Sequence, residues 1–158
     1  MNTQQERSAL HATFTIERTY EAKPAHVFNA WAEPAAKAGW FGPKNLPHES
    51  REFAFEVGGH ERFAIETPNG SVYRFDSRYQ DIVQDERIVY AYDMYLDDVR
   101  ISVSLATIEF FEAVGAATKL RFTEQGVFLD GLDTPAEREH GSAILLDSLG
   151  EALRKESL

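Results

Sequence analysis

Chemistry in this chain would have to come from five histidines, one pair of serines or a set of tyrosines, and the spacing of each narrows what it can do. His11, His26, His48, His60 and His140 include no two residues four apart, as a helical metal site requires, and no His-x-His on a strand. His26 and His140 read as surface residues. Ser102 and Ser104 share a strand face, but no Gly-x-Ser-x-Gly elbow exists and no histidine lies near them in sequence. Gly58-Gly59 lacks the Gly-x-Gly-x-x-Gly spacing and leads into a strand, so it reads as a turn and not as a phosphate cradle. The chain has no cysteine, which removes thiolate ligands and thiol nucleophiles. No catalytic residue, metal or cofactor is expected.

The tyrosines are more informative. Tyr73, Phe75 and Tyr79 fall on one face of a strand, and Tyr90 and Tyr92 on one face of its neighbour. Such rings either stabilise a sheet as cross-strand pairs or line a pocket in which phenol tips orient a ligand. Arg74, Asp76 and Arg78 share the opposite face and read as a solvated ladder of ion pairs.

Local pattern supplies the elements that must position these groups. Phe14 and Ile16 alternate with Thr15 and Glu17 as in a half-buried strand, then Pro24 opens a helix carrying Val27, Phe28 and Trp31 at helical spacing. Glu33-Pro34 ends it, Ala35 to Ala38 allows one more turn, and Gly39 to Pro47 is a loop anchored by Trp40. Period two resumes at Phe53, Phe55 and Val57, and again at Phe63 and Ile65 before the hairpin turn Pro68-Asn-Gly70. Val72 to Gln80, Ile82 to Met94, Val99 to Phe111 and Thr118 to Glu124 continue as an antiparallel meander. Thr134-Pro-Ala-Glu137 is a capping box for a helix from Pro135 to Lys155. Its inward face carries Arg138, Ser142, Leu145, Leu146, Leu149, Ala152 and Leu153, with Ile144 left outside as a lone exposed residue or a subunit contact.

With 158 residues, 43% of them hydrophobic, the chain can bury one respectable core, and residues 1–158 read as a single domain with an ordered core of about 12–155. A net charge of −10 repels a phosphate backbone, so nucleic acid is excluded as a partner. The start Met1-Asn-Thr-Gln-Gln-Glu lacks an export pattern and no apolar run approaches the roughly 20 residues that span a bilayer. A cytoplasmic protein without membrane insertion is expected.

Taken in order, several pieces resemble the START-like (SRPBCC) superfamily, and within it the bacterial relatives of the activator of the heat-shock protein ATPase. They are Val27-Phe-Asn-Ala-Trp31 with Pro34, Trp40-Phe-Gly-Pro43, Val57-Gly-Gly59, Arg87-Ile-Val-Tyr90, Thr118-Lys-Leu-Arg-Phe-Thr123, and Gly141 ahead of Leu146 and Leu149. The resemblance implies an α+β helix-grip fold: a curved antiparallel sheet of about seven strands, two short helices, and a long C-terminal helix over a cavity. Relatives in the wider superfamily bind lipids, sterols, hormones or polyketides, and a few are cyclases or dehydratases.

Two departures from the family pattern bear on that cavity. Many relatives have Gly-Trp where this chain has Gly141-Ser142, and an aromatic where it has Glu61. If both face inward the pocket is roomier and more polar, and Glu61 should meet a cation such as Arg138 or lie at a wet mouth; otherwise Glu61 faces water. The ligand-binding set expected from all this is Trp31, Trp40, Glu61, Phe63, Tyr73, Phe75, Tyr79, Tyr90, Tyr92, Arg138, Ser142, Leu145, Leu146 and Leu149. Binding of a small apolar or amphipathic molecule leads. A cyclase- or dehydratase-like enzyme using Glu61 or a pocket tyrosine, and a co-chaperone-like interaction domain, are the alternatives. A homodimer is possible, and nothing in the sequence specifies it.

Overall fold

The computed structural model describes residues 6–43, 45, 46 and 48–156; the readings made at residues 1–5 and at Pro47 lie outside them. Alternating side chains build strand β1 (Ala9–Tyr20), and two prolines at first-turn positions open the helices α1 (Pro24–Ala32) and α2 (Pro34–Ala38). Strands β2 (Glu52–Phe53), β3 (His60–Glu66), β4 (Val72–Val83), β5 (Arg87–Leu96), β6 (Val99–Ala113) and β7 (Ala117–Leu129) follow, and helix α3 (Pro135–Glu156) closes the chain. The strands form one antiparallel sheet in the order β1-β7-β6-β5-β4-β3-β2. The helix-grip α+β fold is therefore present, with β1 joining the meander beside its last strand.

Alternation decides what each strand buries. Phe14 and Ile16 of β1, Ile88, Tyr90 and Tyr92 of β5, and Leu120 and Phe122 of β7 all face the helices. Helix α3 lays Leu146, Leu149 and Leu153 against them while Ile144 points outward at 53% exposure. The contact with β1 is fixed by a hydrogen bond from the Tyr20 hydroxyl to the Leu146 carbonyl, 2.7 Å. Gly150 makes room there, since a Cβ would stand 3.3 Å from the Tyr20 ring.

Several boundaries differ from the sequence expectation, β7 for one running on to Leu129. Phe55 and Val57 do not continue β2, because the chain turns back through Gly58 at φ 87°, with the Gly59 amide bonded to the Glu56 carbonyl. Ile82 and Val83 belong to β4: a bulge between Tyr79 and Asp81 shifts the register and mimics a break, while the real turn is at Asp85, φ 63°. The capping box is half formed. The Thr134 hydroxyl accepts from the Glu137 amide at 3.1 Å, but the Thr134 amide bonds to Asp133 instead of to the Glu137 carboxylate.

Candidate functional site

Because α3 crosses the concave side of a bent sheet, its first two turns stand away from the strands, and a cavity of about 250 Å³ opens between them. Aromatic side chains make much of its wall. Trp31 from α1, Trp40 from the loop after α2, Phe63 from β3, Phe75 from β4, and Tyr90 and Tyr92 from β5 all line it. Arg138, Ser142, Leu145 and Leu146 close it from α3. The half-buried Ile65, Met94 and Leu145 and the exposed Glu137 and Gly141 mark the mouth.

Four expected residues stand elsewhere. Tyr73 lies beyond the cavity on the same strand face as Phe75, and Leu149 packs in the core one turn further along α3. Glu61 and Tyr79 belong to a second, separate cluster: Lys37 Nζ lies 2.5 Å from Glu61 Oε1 and donates to the Tyr79 hydroxyl at 3.2 Å. Glu61 does meet a cation, though not at the cavity. It is 1% exposed and its partner is Lys37, not Arg138. The reason is reach: α2 lays Lys37 over β3 and β4, with its ammonium 4.2 Å from the Phe41 ring centre and within 6 Å of the Trp31, Phe53, Tyr79 and Tyr90 rings. Burial lowers the Lys37 pKa, and Glu61 works against that shift.

This cluster backs the cavity wall, for Trp31, Phe41 and Tyr90 touch both. Arg51 holds the loop that follows. Its guanidinium donates to the carbonyls of Phe41 and Pro43, and its Cζ sits 4.8 Å from the Phe63 ring centre. Gly42 is required at this point: φ is 87°, and a Cβ would come within 2.8 Å of Phe63.

The polar end of the cavity is built around Arg138. One guanidinium nitrogen donates to Glu124 at 3.2 Å and to the Tyr92 hydroxyl at 2.9 Å; the other donates to Ser102 at 2.7 Å and Asp133 at 2.8 Å. The Tyr92 hydroxyl in turn spans both Glu124 oxygens, at 2.8 and 2.9 Å. Burial alone would lower the Arg138 pKa, but Tyr92, Glu124 and Asp133 reverse that and hold it up. Burial raises Tyr92, with Glu124 adding to the shift, so its phenol stays protonated and donates. Ser102 and Ser104, sharing a face as their spacing required, serve as acceptors for Arg138. Gly126 leaves room for them: a Cβ there would lie 2.9 Å from Ser104 Oγ.

Sequence reasoning missed Glu124. The signal was present, since Leu120, Phe122 and Glu124 alternate on one face of β7 and a carboxylate in that register must be buried. Phe41 and Glu137, also on the wall, read in the sequence only as parts of a loop and a cap, and Asp133 carries no sequence signal of its place there. Among the described residues no group of His, Asp and Glu is placed to hold a metal ion. No helix among them is long and apolar enough to cross a membrane.

The family described as activator of Hsp90 ATPase homolog 1-like protein matches residues 21–154, which include the whole cavity wall. The chain belongs to that family. Two solved structures are similar to the chain over nearly their whole length. An uncharacterised protein from Rhizobium leguminosarum is 42% identical, with a TM-score of 0.89 over 95% of this chain and 99% of that one. A protein from Rhizobium loti is 40% identical, with a TM-score of 0.85 over 92% of this chain and 99% of that one. A protein from the dynemicin biosynthetic locus, 14% identical, shares the fold alone, at a TM-score of 0.67 over 90% of this chain and 47% of its own. No curated protein matches the chain.

Proposed function

We propose that this member of the family is a receptor or carrier, without catalysis, for a small amphipathic molecule held between α3 and the sheet. One observation carries the reading: a cavity of about 250 Å³ is walled by aromatic rings and ends in a fixed polar group, Arg138 with Tyr92 and Glu124. Apolar walls supply affinity and a few placed polar groups supply orientation. The volume falls just below the roughly 300 Å³ at which ligand pockets usually begin. A single-ring guest fits this size; a sterol or a diacyl lipid does not.

The presence of a carboxylate and a phenol in the cavity gives the lyase-like alternative its one supporting observation. Both Glu124 oxygens, however, already accept hydrogen bonds from Tyr92, and one of them also accepts from Arg138. A base so engaged has to break that network before it can take a proton, and carriage is the reading that leaves the network intact.

Native mass spectrometry of protein purified from its own cells tests the proposal. A co-purifying small molecule is expected, and Ser142→Trp, which puts an indole into the cavity from α3, should abolish its retention. Equal occupancy in the variant would overturn the assignment of this cavity.

A further inference from the structure

Resting on that reading, we infer that the cavity selects amphipathic guests whose polar head is cationic or donates hydrogen bonds, such as a primary arylalkylamine, over guests that carry a carboxylate. The charge on the wall decides this. Among the described residues three carboxylates line the cavity, Glu124, Asp133 and Glu137, against one guanidinium, Arg138. That guanidinium is already committed to two of them, so a ligand carboxylate would have to displace Glu124 or Asp133 and add a further negative charge beside both.

Among the described residues no other cation is placed to compensate. Arg51 lies behind the Phe63 ring, turned toward the loop carbonyls, and Lys37 is paired with Glu61 behind Phe41. Neither lines the cavity. An ammonium, by contrast, meets surplus negative charge beside the rings of Tyr90, Tyr92 and Phe75.

A second observation points to a guest in the same place. Tyr90 and Ser142 are both more than nine-tenths buried and both line the cavity, yet their hydroxyls bond to no side chain or backbone group among the described residues. Neither hydroxyl is walled in, as Trp31 Nε1, Arg51 Nε and Glu61 Oε2 are, so each has open space before it. Burial, with Tyr92 and Glu124 beside it, holds the Tyr90 pKa well above its usual value, and the phenol remains available as donor or acceptor. Buried polar groups normally have partners, and a guest with a polar head would supply them.

The test is a matched series with one phenyl ring and one polar head: phenethylamine, phenethyl alcohol and hydrocinnamate, titrated at neutral pH against the intrinsic fluorescence of Trp31 and Trp40. Phenethylamine should bind tightest and hydrocinnamate weakest, with a ratio of dissociation constants of about tenfold or more. Glu137→Gln, at the exposed mouth, should narrow that ratio without unfolding the chain. Hydrocinnamate binding as tightly as the amine would overturn the selectivity and leave the receptor standing, for it would mean that Arg138 releases a carboxylate to greet the ligand. Binding of none of the three would overturn the receptor reading and this inference together.

Discussion

Lys37 Nζ and Glu61 Oε1 lie 2.5 Å apart in a cage of aromatic rings, with neither side chain more than 2% exposed. The pair ties the short helix α2 to β3, and through Trp31, Phe41 and Tyr90 it backs the cavity. Lys37→Met leaves the Glu61 carboxylate buried and uncompensated, and should cost about 3–5 kcal/mol in urea unfolding. Lys37→Met with Glu61→Leu should recover most of that loss. A near-neutral single variant would show that the pair is not closed to water.

The half-formed capping box separates two residues that the sequence motif treats as equals. Thr134→Ala removes the acceptor for the Glu137 amide and should cost about 1 kcal/mol, lowering Tm by about 2–4 °C. Glu137→Gln should leave Tm unchanged, since its carboxylate caps nothing. Calorimetry on both variants checks the contrast.

Asp130 pins the start of β1: its carboxylate accepts from the Ser8 amide at 2.9 Å and from Arg7 at 3.0 Å. The Ser8 hydrogen bond, with Arg7 adding to it, holds the Asp130 pKa below its usual 3.8. A depressed carboxylate contributes stability that is complete above the unfolded value and disappears as pH falls through the folded one, because the unfolded chain binds the proton first. Asp130→Asn should therefore be less stable than the parent at neutral pH, and the two should converge below pH 3.8. A gap that stays constant into acid would contradict this account of the ion pair. Asparagine is a fair replacement here because it tolerates the φ of 56°.

The architecture was legible because its signals are local. Alternation in β1, β5 and β7, prolines at two helix starts, and one amphipathic helix with Thr134 at its head fix the elements, and the sequence motifs add their order. The site was legible where facing depends on period alone, as at Phe75, Tyr90, Tyr92, Arg138 and Ser142. It was opaque where a partner arrives from a distant element. Tyr79 and Tyr90 share the same inward side of adjacent strands, but Lys37 from α2 covers the first and leaves the second open. A lysine in a five-residue helix of alanines and proline gives no sign that it will be caged. Glu61, read as a candidate for the cavity, is drawn to that lysine, while Glu124, beyond notice at the end of an expected strand, takes the place beside Arg138.

The account stands most directly on methyl-resolved NMR of the chain titrated with phenethyl alcohol. It predicts saturable shifts for the methyls of Ile65, Met94, Leu145 and Leu146 on the cavity wall, with the outward Ile144 on the same helix unmoved. Shifts that fail to saturate, or that move Ile144 as much as Leu145, would contradict a guest site between helix and sheet.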